Sequence, residues 1–287
     1  MKQKVLEEVN IFLLKKGYTV KNLTRSCFDV IARSSENILL IKVLEDANGI
    51  AKQYADEMIS VASYINATPL MISEKAGHVL ENNVVYTRFD ICTLNFFTFT
   101  GCVNNKFPFI KRNKAGLTAI ISGKKLKEKR EETGYSINSL SKKIGVTSRM
   151  IRQYENDDCE ITVNKAMKIY DIFGGYVFNE VNIFMRQKAP KNNFESDLTK
   201  KYMALGFEAT DTKKTPFDII AKKDDELILT RVSDDVNPEM QSLSKLLDAD
   251  NLVIFSKKKP HNVASLTKEE FMEVSKANEL VKFLKKF

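Results

Sequence analysis

The chain has 287 residues, of which 43% are hydrophobic and 29% charged, enough to bury the cores of two or three domains and unlike a disordered or fibrous chain. Lys plus Arg number 45 against 37 Asp plus Glu, a formal net charge of +8, which favours an anionic partner, nucleic acid foremost. Four cysteines without a CxxC pair and only two histidines, His78 and His261, argue against zinc and against a secreted disulfide framework; no apolar run reaches the roughly 18 residues of a membrane span, and MKQKVLEEVN lacks a signal-peptide core, so a cytoplasmic chain with no membrane contact is expected.

In chain order, Val5, Val9, Phe12 and Leu13 recur at helical spacing and Gly17 stops that helix. FDVIA and ILLIKV are dense in β-branched and aliphatic residues across a polar turn, and predict a hairpin. Tyr54, Met58, Val61, Ala62 and Ile65 predict a second helix, and PLMIS a buried strand. The order α-β-β-α-β makes residues 1–104 an α/β domain. Lys106, Lys111, Arg112 and Lys114, with Pro108 and Gly116, read as a basic linker over 105–121. Such a run is more often a solvated surface than a contact, and so are Lys257, Lys258 and Lys259 beside Pro260.

Residues 122–178 carry the most specific pattern. In SINSLSKKIGVTSRMIRQYEN, Ser136 caps a helix whose buried stripe is Ile137, Leu140 and Ile144. Gly145 supplies a left-handed turn. Thr147 or Ser148 caps a second helix in which Ile151 and Tyr154 point inward, leaving Ser148, Arg149, Met150, Arg152 and Gln153 outward. Hydroxyl, guanidinium and amide groups on one face are the chemistry that reads phosphates and base edges. Leu126 and Arg130 lie one turn apart on a preceding helix; Val163, Ala166, Met167 and Tyr170 share a face of a following one.

This stretch resembles the lambda-repressor/Cro (Xre-type) helix-turn-helix domain, on Leu126, Arg130, Leu140, Ser141, Gly145, Val146, Thr147 and Glu155. The resemblance implies a five-helix unit, an ion pair between Arg130 and Glu155, and major-groove contact through Thr147, Ser148, Arg149, Met150, Arg152 and Gln153, with Lys142 and Lys143 on phosphates. Ile137 stands where that family often has a glutamine that contacts a phosphate, which removes one expected contact.

A linker over 179–193, holding Pro190, leads to a second α/β domain, 194–287. Residues 201–232 align with 12–43 without gaps, the mark of a tandem duplication. Gly206 matches Gly17, Phe217 and Asp218 match Phe28 and Asp29, Ala221 matches Ala32, and Leu229 and Val232 match Leu40 and Val43. Its opening helix carries Phe194, Leu198, Tyr202 and Leu205; a shorter second helix spans Met240 to Leu247, before the strand LVIFS. Both copies resemble restriction-endonuclease-like (PD-(D/E)xK) nucleases, archaeal Holliday-junction resolvases in particular. In those enzymes an aspartate opens one strand and an acid-x-lysine lies on the next, so that carboxylates and lysine share a face around a divalent metal. Asp29 and Lys42 match, as do Asp218 and Arg231, but the acid position holds Leu40 and Leu229, which offer no oxygen to a hard cation. No catalytic residue, metal or cofactor is therefore expected. Asp29 and Asp218 admit two readings, a relic metal site or a carboxylate that bonds local backbone amides.

The whole arrangement resembles a family of archaeal helix-turn-helix transcriptional regulators. It implies sequence-specific binding of double-stranded DNA and control of transcription; the repeat and its missing acid make the flanks a non-catalytic scaffold, or a pseudo-dimer whose two copies pack on each other within one chain. A homodimer and an unknown effector stay open. Two alternatives are a metal-dependent DNA-processing nuclease, and a ligand- or protein-sensing module with secondary DNA contact.

Overall fold

The computed structural model describes residues 2–113, 116–185 and 195–287; Lys114, the Pro190 linker residues and Phe194 lie outside them. By contacts the chain divides into two compact units. One comprises Met1–Val43, Gly49–Leu70 and Phe184–Phe287, the other Leu44–Asn48 and Met71–Ile183. The grouping cuts across the order of domains along the sequence: the N-terminal and C-terminal regions share a unit, and residues 71–104 sit in the other.

In the first unit, α1 (Lys2–Lys15) buries Val5, Val9 and Leu13, and the helix gives way at Gly17, whose φ of 79° an L side chain resists. The strands β1 (Thr19–Asn22), β2 (Val30–Arg33) and β3 (Ile38–Asp46) pair antiparallel in succession. After α2 (Lys52–Tyr64), β4 (Thr68–Lys75) takes the place beside β3. Strand β1 was not expected. Its sequence, TVKN, is polar and largely exposed, so it carries no alternation to mark it.

In the second unit, β5 (Val84–Arg88), β6 (Ile91–Leu94) and α3 (Phe96–Val103) lead into β7 (Ile110–Asn113) and β8 (Gly116–Ile121). The segment expected to be a basic linker thus folds into two antiparallel strands, with β5 parallel to β7. Ala119 and Ile121 face the core, which outweighs the basic residues around them. Four helices follow: α4 (Gly123–Glu132), α5 (Ile137–Ile144), α6 (Ser148–Asn156) and, after β9 (Cys159–Thr162), α7 (Val163–Phe173). Among the described residues the expected fifth helix is a single 3-10 turn, Gly175–Val177, and β9 pairs with β8.

Back in the first unit, α8 (Asp197–Ala204), β10 (Glu208–Asp211), β11 (Ile219–Lys223), β12 (Glu226–Val232), α9 (Pro238–Leu247) and β13 (Asp250–Phe255) repeat the order from α1 to β4. β14 (Ser265–Thr267), α10 (Lys268–Glu273) and α11 (Ala277–Leu284) complete the chain. Here β10, β11 and β12 pair antiparallel, and β12, β13 and β14 parallel. Glu208 pairs with Lys222 as Thr19 does with Arg33, and Ile219 with Thr230 as Val30 does with Ile41. Leu198, Tyr202, Phe207, Phe271 and Leu280 form the core on this sheet. The Tyr202 hydroxyl is satisfied within it by Thr230 Oγ1 at 2.7 Å.

Candidate nucleic-acid interface

The turn between α5 and α6 is set by three local devices. Ser136 Oγ accepts the Ser139 N–H at 3.0 Å and starts α5. Gly145, at φ 79° and ψ 45°, ends it in the left-handed conformation, its N–H returning to the Ser141 carbonyl. Thr147 Oγ1 then accepts the Met150 N–H at 3.2 Å and starts α6. Leu126, Leu140, Ile144, Ile151, Ala166, Ile169 and Phe173 close the core beneath both helices, joined by Ala119 and Ile121 of β8.

Two contacts fix α6 against α4. Arg130 Nε and Nη2 donate to the two carboxylate oxygens of Glu155 at 2.5 and 3.1 Å, and Nη1 donates to the Tyr135 carbonyl at 3.0 Å. The side chains are only 11% and 6% exposed, and the carboxylate holds the guanidinium pKa above its ordinary value. Gly123, the first residue of α4, lies so near the end of α6 that an added Cβ would stand 2.7 Å from the Tyr154 carbonyl oxygen and 2.8 Å from that of Glu155. Asp158 supports the same junction: Oδ1 accepts the Gly123 N–H at 3.1 Å and Oδ2 the Asn179 amide at 2.7 Å. Neither Gly123 nor Asp158 was expected, because each acts through spatial neighbours rather than through spacing.

The expected contact residues separate into two groups. Arg149, Arg152 and Gln153 are exposed on α6, and Lys142 and Lys143 on α5. Lys143 Nζ donates to the Tyr135 hydroxyl at 2.7 Å and lies 5.1 Å from that ring's centre, so its charge is held in place. Thr147 is exposed, with its hydroxyl given to the helix cap. Ser148 and Met150 are half-buried and differ from the outward positions expected. The Ser148 hydroxyl donates to Asn138 Oδ1 at 2.6 Å and lies 3.2 Å from Ser141 Oγ, tying α6 to α5, and Met150 packs on the core. Ile137 also packs on that core, which accounts for an aliphatic residue there. On α7 the buried stripe is Ala166, Ile169 and Phe173. Val163, Ala166, Met167 and Tyr170, expected on one face, together border a notch of ≈ 150 Å³ with Phe109 and Ile110, in which Met167 and Tyr170 are exposed.

The geometry thus presents an exposed, basic, amide-bearing helix face on a rigid support, with Glu155 turned inward onto Arg130. That is the arrangement of a helix that enters a DNA groove.

At the nuclease-like positions of the first unit, Asp29 Oδ2 accepts the Val43 N–H at 2.8 Å, and Oδ1 meets Lys42 Nζ at 3.2 Å and Lys2 Nζ at 3.1 Å. Lys42 Nζ also donates to the Ser26 carbonyl at 2.9 Å. Asp218 Oδ2 accepts the Val232 N–H at 2.7 Å, and Arg231 Nη1 donates to the Pro216 carbonyl at 2.9 Å. Both aspartates therefore bond backbone amides of the next strand. Leu40 and Leu229 are wholly buried. A divalent cation, which the nuclease fold implies, needs several oxygen ligands. The residues present do not fit one: each place has one carboxylate, engaged with an amide, and a buried leucine at the acid position. Among the described residues no group of three His, Cys, Asp or Glu could hold a metal ion.

Two stretches of the chain match known families. Residues 2–108 match the PD-(D/E)XK superfamily domain, and residues 126–176 match the helix-turn-helix family. The chain therefore joins a PD-(D/E)XK superfamily domain to a helix-turn-helix domain. It is similar over nearly its full length to archaeal proteins named "Putative HTH-type transcriptional regulatory protein". The protein from Archaeoglobus fulgidus is 27% identical over 300 residues, covering 98% of this chain and 97% of that one. Those from Methanocaldococcus jannaschii and Thermococcus kodakarensis are 28% identical over 303 residues and 27% over 307, covering 98% and 99% of this chain and 95% and 96% of theirs. No solved structure matches the chain. No described helix is long and apolar enough to cross a membrane.

Proposed function

We propose that this protein is a sequence-specific regulator of transcription that reads double-stranded DNA through α6, with Arg149, Arg152 and Gln153 toward base edges and Lys142 and Lys143 toward phosphates. The observation that carries the reading is the exposed face of α6, braced from behind by the Arg130–Glu155 pair. The names of the full-length relatives support the transcriptional role. The flanks act as a scaffold: residues 195–287 are a second copy of the fold of residues 2–75, supported by equivalent strand registers and by the same aspartate-to-amide bond. Both copies are non-catalytic, because the acid position is a buried leucine in each.

Capture of genomic fragments by the purified protein, at stated salt, tests this reading. Enrichment of a common sequence supports it. Fragments retained without sequence preference, and released in step with rising salt, would reject sequence-specific reading.

A further inference from the structure

We propose that residues 195–287 are an in-chain partner for residues 2–70: the two copies clasp about an approximate two-fold axis, each through a helix carboxylate that accepts loop amides of the other. The proposal rests on reading the flanks as two copies of one fold, and it concerns a surface outside the DNA-reading helices.

Two contacts run in opposite directions and play the same part. Glu57, on α2, accepts the backbone N–H groups of Lys213 and Lys214 at 2.8 and 2.5 Å, in the loop between β10 and β11. Glu239, on α9, accepts the N–H of Thr24 at 3.2 Å and its hydroxyl at 2.7 Å, in the loop between β1 and β2. Thr24 and Lys213 hold the same place in the two loops, because β1 meets β2 in the same register as β10 meets β11. Helices α2 and α9 also correspond, since each joins the third strand of its copy to the fourth. The carboxylates come from different turns of those helices, α9 being shorter, so the symmetry is one of role. Mutual exchange of one contact is what a two-fold interface produces between identical subunits. Here both halves belong to one chain.

Further bonds close the clasp. The Cys27 N–H and the Ser26 hydroxyl donate to the Lys214 carbonyl at 2.7 and 3.0 Å, and the Lys214 ammonium lies 5.7 Å from the centre of the Tyr54 ring. Arg33 Nη1 donates to the Leu246 carbonyl at 2.6 Å and meets Asp248 at 2.6 Å, placing a cation at the C-terminus of α9, where the helix dipole favours one. Helix α2 packs on β11 and α9 on β1. The face through which each copy meets the other is thus filled in cis. The protein carries one DNA reader for each pair of nuclease-like folds, and no second chain is needed to cover this face.

Hydrogen exchange of the full chain, followed by mass spectrometry without DNA, tests the clasp apart from DNA reading. Protection is expected at Thr24, Cys27, Lys213 and Lys214, unchanged on dilution from micromolar to nanomolar protein. Glu57→Lys should speed exchange at Lys213 and Lys214, and Glu239→Lys at Thr24, by on the order of tenfold, as for loss of one charge-assisted bond. Glu57→Gln, which keeps an acceptor oxygen, should have a smaller effect. Free exchange at these amides in the unaltered chain would overturn the proposal. So would protection that fades on dilution together with a falling mass in light scattering, which would place the clasp between chains. Should Glu57→Lys fail to fold, Glu57→Gln and the dilution series decide alone.

Discussion

A hydrogen atom is all that Gly123 can carry, since a methyl group there would press on two carbonyl oxygens of α6. The backbone cannot recede without losing the Asp158 cap. Gly123→Ala should therefore lower unfolding stability by about 1–3 kcal/mol, as overpacking does, read as a reduced denaturant midpoint. Arg130→Ala strands the Glu155 carboxylate, 6% exposed, without its partner. A loss of about 3–5 kcal/mol is expected, with weaker DNA binding because α6 loses its brace. The four thiols share one property. Burial pushes Cys92 up to about 11 and Cys102 up to about 12, and raises Cys27 and Cys159 as well. A raised thiol stays protonated below its pKa, so at pH 8 little thiolate is present in the folded chain. Iodoacetamide at pH 8 should label the native protein slowly and the unfolded chain at all four positions, as counted by mass; fast native labelling would contradict this. At this scale Arg130 and Glu155 were legible because a helical pattern placed them, while Gly123 and Asp158 answer to neighbours more than twenty residues away.

Helices α5 and α6 follow the sequence closely because their signals are local: Ser136, Gly145 and Thr147 each act within a few residues of themselves. Local signals do not say which outward residue is consumed by a neighbour. Ser148, taken up by Asn138 and Ser141, shows this, and strands β7 and β8 show the complement, since their pairing with β5 and β9 is non-local. The division of roles on the two helices can be measured. Arg152→Ala should cost about 1–3 kcal/mol on a selected site and much less on random DNA, if the guanidinium reads a base. Lys142→Ala should weaken both alike and lower the slope of log K against log salt by about 1. Fluorescence anisotropy over a salt series separates these results. Equal loss on both DNAs for Arg152→Ala would remove it from base reading.

Across the whole molecule, the aligned stretches 12–43 and 201–232 made the repeated order visible, but not the grouping of the chain's ends into one compact unit. That grouping depends on contacts such as Glu57 to Lys213, which no periodicity encodes. The sharpest competing account at this scale is a nuclease targeted by the helix-turn-helix, and it differs in what Asp29 is for. In a nuclease Asp29 would hold a cation, and Asp29→Asn would abolish cutting while leaving the fold intact. As a strand tie, Asp29 accepts the Val43 N–H and balances Lys2 and Lys42. Asn keeps an acceptor but loses the charge that faces the Lys42 and Lys2 ammonium groups. Asp29→Asn should then lower unfolding stability by roughly 1–3 kcal/mol, as for a part-buried charged partner, read as a reduced denaturant midpoint, with affinity for the selected site unchanged. The unaltered protein with magnesium should leave duplex, flapped and junction DNA uncut. Cutting that needs magnesium and disappears in Asp29→Asn would restore the enzyme. An intact substrate together with a destabilised variant would assign the aspartate to the scaffold, and with it the nuclease-like fold to holding the reader.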